Sequence, residues 1–277
     1  MDTPSLAALA PRWHLLVSGA ADGVENMAID VALMALARRT GAATLRIYTW
    51  DRPTLSLGRH ERARGLFDPA ALDSAGVGVV RRPTGGRALL HHREVTYSVT
   101  APDALPLAAS YAAINRLLLD ALARLGVAAA PAARAGRPLR PEGSACFAEP
   151  AAGELVVGDA KLVGSAQLRE EGALLQHGSI LLADDQPMIA TLRTDAAPAA
   201  APTAPAATLE ATLGRPVAAE EVIRALTSAL QAALGAADPT AAPTSALAPT
   251  PLDPALLRHD LARLVIAFAD PEWTWRR

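Results

Sequence analysis

Residues 161–182, KLVGSAQLREEGALLQHGSILL, hold two strand-like runs hinged on Glu-Glu-Gly. Two strands joined by so short a turn lie antiparallel in one sheet. Similar short runs recur through the first 185 residues: ELVVGD (154–159), RALLH (87–91), EVTYSVT (94–100) and GVGVVRR (76–82). LRIYTW (45–50) alternates, Asp51, Arg52 and Pro53 punctuate it, and TLSLGRH (54–60) follows, which predicts a hairpin. Strands connected this way, with helices set among them, predict an α+β fold rather than a doubly wound one.

The helices are legible by their period. Residues 24–39 place Met27, Val31, Leu33 and Met34 on a core-facing helix, with Glu25 at its start and Arg38 and Arg39 at its end, where each suits the helix dipole. A short helix is expected around 68–75 and a long one over 107–126, stopped by Gly126. Beyond Leu192 the chain changes character. Residues 195–207 and 236–250 are rich in alanine, proline and threonine and read as linkers. Helices are expected over 214–235, with Pro216 near the start, and over 253–269. The expectation is a single catalytic domain over 1–277, with its core at about 24–185 and helical additions at about 208–277.

Composition narrows the function. A net charge of −2 and a pI near 6.3 give no electrostatic reason to expect nucleic acid. No run of 18 strongly apolar residues suggests a membrane span, and the first residues lack the basic and apolar regions of a secretory signal. One cysteine allows no intramolecular disulfide and is too few for a cysteine-based zinc site. The expectation is a cytoplasmic protein with no metal and no cofactor.

That cysteine, Cys146, lies in a Gly, Ser and Pro-rich stretch that reads as a loop, so it is as readily a nucleophile as a core filler. Fifteen residues on stands Lys161, the one lysine in a chain whose other 25 Lys and Arg positions are all arginine. An amine can change protonation where a guanidinium cannot, so a lone lysine marks either a task needing an amine or an accident of composition.

Other candidates are each ambiguous. In RRPTGGR (81–87), Gly85 and Gly86 with Arg82 and Arg87 form either a ligand cradle or a plain turn. The adjacent His91 and His92 face opposite sides of a strand and cannot share a metal. His177 fits a pocket edge or a buried, hydrogen-bonded position. The small residues Gly164, Ser165 and Ala166 suit an oxyanion site or strand packing. There is no dinucleotide fingerprint, Walker-type loop or HExxH motif.

Taken in order, RRPTGGRALLHHREVTYSV, ACFAEP, KLVGSAQLREEGALLQHGSILL and PEWTWRR resemble the biotin/lipoate protein ligase superfamily, and within it the cysteine-dependent octanoyltransferase branch. The resemblance implies a mixed, largely antiparallel sheet flanked by helices, like that of class II synthetases and biotin ligases. It implies octanoyl transfer from acyl carrier protein to a lipoyl domain, with the glycine cleavage H protein the expected acceptor. It maps the thioester-forming cysteine and its activating lysine onto Cys146 and Lys161. Arg82, Gly85, Gly86, Gly164, Ser165, Ala166, His177, Gly178 and Ser179 map onto the acyl tunnel and reacting carbonyl, and Arg87 and His91 of the same stretches are counted as substrate-binding. This chain has His92 where the branch usually has aspartate, and the insert at 195–207 has no counterpart. The rivals are an ATP-dependent lipoate ligase, which needs the lysine but not the cysteine, a non-catalytic lipoyl-domain binder, and a structural module.

Overall fold

The computed structural model describes residues 5–132, 153–194, 205–235 and 249–277. Cys146 lies outside these residues. In chain order the first half runs β1 (Trp13–Ala21), α1 (Gly23–Thr40), β2 (Ala43–Trp50), β3 (Thr54–Leu57), α2 (Pro69–Ser74), β4 (Gly78–Arg81), β5 (Leu89–His91), β6 (Glu94–Pro102) and α3 (Leu107–Arg124). Then follow β7 (Ala130–Pro131), β8 (Leu155–Val157), β9 (Ala160–Glu170), β10 (Ala173–Leu181), α4 (Met188–Thr191), α5 (Leu209–Leu213), α6 (Ala219–Gly235), β11 (Thr250–Pro251), α7 (Arg258–Ala269) and α8 (Pro271–Thr274).

Eight strands form the main sheet in the order β11-β1-β2-β6-β10-β9-β8-β7, and β4-β3-β5 form a smaller one. The β9–β10 hairpin is antiparallel as expected, from Ala173 opposite Glu170 to Ile180 opposite Val163. The hairpin expected over 45–60 does not form. β2 pairs with β1 on one side and β6 on the other, so it has no edge left for β3. After Pro53, which lacks a donor for a central ladder, β3 joins the smaller sheet between β4 and β5. Strand β1, WHLLVSGAA, is a further element, and its pairing with β2 is parallel.

Helix α1 begins at Asp22, whose carboxylate accepts from the Glu25 amide, and ends at Gly41 in the left-handed conformation. It lies on one face of the main sheet, with Met27, Leu33, Tyr48 and Trp50 packed beside Leu264 and Phe268 of α7. The other face carries α3 and α6, where Ile114, Leu117, Leu118, Leu226 and Leu230 meet Ile47, Tyr97 and Val163. Leu55, Leu57, Phe67, Leu72 and Leu90 pack around the smaller sheet. Among the described residues, no helix is long and apolar enough to cross a membrane.

Candidate active site

The central strands are in a register that creates room on the α1 face. Arg46, Ser98, His177 and Ala166 stand side by side across β2, β6, β10 and β9, and two residues along so do Tyr48, Thr96, Ser179 and Gly164. Side chains in successive rows point to opposite faces. The intervening row, Ile47, Tyr97, Gly178 and Ser165, has its large side chains in the α3/α6 core. The two α1-face rows end on β9 in the small residues Ala166 and Gly164, with Ser179 beside Gly164 on β10. A cavity of about 490 Å³, counting its open mouth, lies there and is bounded across from the sheet by the turn after β4.

Ten residues expected to bind substrate line this cavity: Arg82, Gly85, Gly86, His91, Gly164, Ser165, Ala166, His177, Gly178 and Ser179. Tyr48, Leu89, Thr96 and Glu154 line it as well. Arg87 stands outside the lining and takes part through its carbonyl, which accepts from Arg82 Nη2 at 2.7 Å. Arg82 also donates to the Gly85 carbonyl and to Ser56, so its guanidinium clamps the turn as well as facing the cavity. Gly86 needs to be glycine there: its φ is +100° and a Cβ would lie 2.7 Å from Arg82 Nη2. The cradle and the turn are one object.

Two buried polar networks back the cavity. His177 Nδ1 lies 3.0 Å from Asp30 Oδ2, and its Nε2 lies 2.7 Å from Thr84 Oγ1. Asp30, fully buried on α1, also accepts from Arg46, Tyr48 and Ser98. Burial alone would raise the Asp30 pKa, but Arg46 and His177 outweigh it and hold the carboxyl below its usual range. In the second network His91 stacks on Trp50 at 3.9 Å and bridges Glu94 and Ser56, each at 2.8 Å. Burial lowers the His91 pKa against the pull of Glu94. Glu94 is itself lowered, its own burial being outweighed by His91 and by neighbouring hydroxyls. The pair is a neutral imidazole donating to a carboxylate. His92 points away and meets Asp185 at 2.8 Å.

Lys161 reaches the same wall through Glu154, whose Oε1 lies 2.7 Å from Nζ. A β-bulge makes this possible. Val156 pairs with Lys161 but Leu155 pairs with Val163, leaving Leu162 as the extra residue. Leu155, Leu162 and Val163 all enter the α3/α6 core, so Lys161 and Glu154 emerge on the cavity face. Without the bulge, strict alternation would aim the lysine into the apolar core.

Sequence reasoning missed Glu154, Asp30 and Arg46. Asp30 had a signal, since it sits between Met27 and Met34 on the buried stripe of α1. Glu154 had one too, because the Gly158-Asp159 turn folds ELVV back along KLVG. Arg46 had none, in a chain that uses arginine freely. Among the described residues, no group of three or more His, Cys, Asp or Glu side chains is placed to hold a metal ion.

A cavity floored by small residues of a central sheet, with a few convergent buried polar side chains in its wall, has the form of a small-molecule site. Residues 22–231, most of the chain, match the lipoyl protein ligase A/B catalytic domain, and the chain belongs to that family. It is similar to octanoyltransferase LipM of Kyrpidia tusciae, 46% identical over 192 residues covering 65% of this chain and 70% of the relative. LipM of Symbiobacterium thermophilum is 45% identical over 189 residues, covering 65% and 69%. Two solved structures share the fold. Lipoate-protein ligase A bound with ATP gives a TM-score of 0.73 at 20% identity, covering 95% of this chain and 98% of the other. The bipartite lipoate protein ligase of Thermoplasma acidophilum gives 0.70 at 19%, covering 95% and 96%.

Proposed function

We propose that this protein is an octanoyltransferase of lipoate biosynthesis, moving an octanoyl group from acyl carrier protein to the lysine of a lipoyl domain through a thioester on Cys146. The observation that carries the reading is convergence. Residues from three separate sequence stretches line one cavity, and the only lysine of the chain is buried behind it, paired with the lining residue Glu154. The octanoyltransferase relatives support the activity.

The cysteine acts as a thiolate, which a nearby ammonium favours by about 1–3 pKa units. The thiolate of Cys146 attacks the carrier thioester, the carbon–sulfur bond to the carrier breaks, and the carrier departs as a thiol with the proton that Cys146 gave up on ionising. The amine of the acceptor lysine then attacks the enzyme thioester. A carbon–nitrogen bond forms, the bond to Cys146 breaks, and the proton lost by nitrogen returns the cysteine to its thiol. Backbone amides near Gly164, Ser165 and Ala166 would stabilise both oxyanions, and Arg82, His91 and His177 would shape the acyl site. Converting thioester to amide is downhill, so no ATP is needed. The glycine cleavage H protein is the acceptor we favour and the cytoplasm the compartment, in a single catalytic domain with helical additions.

Incubation with octanoyl carrier protein in the absence of ATP is expected to yield an octanoyl adduct by intact mass that hydroxylamine removes and that Cys146→Ala abolishes. Absence of the adduct on the unsubstituted protein, or its persistence on Cys146→Ala, overturns the reading. A strict ATP requirement with free acid would instead favour a ligase.

A further inference from the structure

Lys161 and Glu154 form a buried ion pair, 3% and 6% exposed, that the octanoyl-transfer chemistry above uses only in half. An ammonium withdrawn from water tends to lose its proton, by up to about 3–5 pKa units for a fully buried lysine, unless a counter-charge is supplied. The acyl-transfer step needs the charged form. Glu154 is set where it can supply that charge. It immediately precedes β8, and the bulge opposite places its carboxylate and the Lys161 amine on the same face of the sheet.

The other groups around the cavity have separate partners. Arg82 clamps the Gly85–Arg87 turn, Glu94 holds His91, and Asp30 holds His177. From β6, Tyr97 feels the Glu154 charge, but its hydroxyl bonds Ser165 and Gln176. Among the described residues, Glu154 sets a carboxylate oxygen 2.7 Å from the Lys161 amine.

We propose that Glu154 is a positioning residue that keeps Lys161 an ammonium and holds it at the cavity wall. Its catalytic consequence rests on the octanoyltransferase reading, while the charge state of Lys161 can be measured without it.

The chain has a single lysine, so lysine labelled with ¹³C at Cε produces one side-chain resonance that reports its protonation. In the unsubstituted protein that resonance is expected to show the charged form at pH 7. In Glu154→Gln the titration midpoint is expected to fall by about 3–5 pH units, the shift of a fully buried lysine with no counter-charge, and Glu154→Asp, which keeps the charge, is expected to restore most of the loss. Octanoyl adduct formation by Glu154→Gln is expected to fall about tenfold at pH 7, because a fall of that size leaves the amine largely neutral there. The deficit should shrink above about pH 8.5, where a thiol ionises unaided. A purely structural role would lower the rate equally at every pH.

A neutral Lys161 in the unsubstituted protein overturns the proposal even if Glu154→Gln does not fold. So does an unmoved midpoint in a folded Glu154→Gln, or a deficit independent of pH. If the unsubstituted protein forms no adduct, the octanoyltransferase reading fails, and the lysine titration still judges Glu154.

Discussion

At Gly178 the β10 backbone passes so close to its neighbours that an added Cβ would lie 2.3 Å from the Gly164 carbonyl oxygen, 2.8 Å from Ser165 Oγ and 2.9 Å from the Tyr97 ring. The tightest neighbour is the β9 backbone at Gly164, and the Tyr97 ring, whose hydroxyl lies 2.7 Å from Ser165 Oγ, closes the remaining space. Gly178→Ala therefore overpacks a closed site. It should cost about 1–3 kcal/mol by chemical denaturation and reduce adduct formation by displacing the cavity floor. The HGS stretch was legible as a site feature. The need for glycine was not, because it arises from residues on β6 and β9 that are 81 and 13 positions away. Asp30 shows the same limit. An acid on an apolar stripe is visible in sequence, but the basic partner, Arg46, comes from a different strand.

Elements tie the cavity to the chain's far end through Arg81. Its buried guanidinium donates to the carbonyls of Gly58, Glu61 and Thr274, and the Trp273 indole donates back to the Arg81 carbonyl. The β4 strand, the loop after β3 and helix α8 are thus clasped together, and the stretches RRPTGGR and PEWTWRR meet. Burial, with Arg276 adding repulsion, lowers the Arg81 pKa to about 10. It remains a cation at neutral pH. Arg81→Met should cost about 2–3 kcal/mol, the worth of two or three charge-assisted hydrogen bonds less the relieved repulsion, read as a shift in denaturation midpoint. Hydrogen exchange should then quicken in the 271–277 segment ahead of the main sheet.

For the whole molecule, the buried titratable groups set an acid limit to stability. His91 has a lowered pKa in the folded state, so between that value and its ordinary pKa of about 6.5 the unfolded chain binds more protons. Stability is therefore present above about pH 6.5 and lost as pH falls below it. His14, lowered by burial and by Arg12, adds in the same direction. Asp30 and Glu94, also lowered, contribute stability that is lost in a second fall beginning near pH 4. Urea denaturation from pH 3 to pH 8 should show both declines, and His91→Asn should flatten the upper one. A stability profile flat between about pH 5 and 7 would contradict the assignment of a neutral His91 in the folded protein.

The α+β class, the β9–β10 hairpin, the long helices and most of the cavity-lining residues are legible in the chain by itself, because they follow from periods, turns and motifs spanning at most a few tens of residues. The fate of β3, the parallel placement of β1, the bulge that turns Lys161 outward and the partners of Asp30 and Lys161 are not. Each depends on which edges a strand finds already occupied and which side chains a distant element brings to it. Strand pairing and burial settle these through contacts between residues far apart in the chain, and a local pattern carries no record of them.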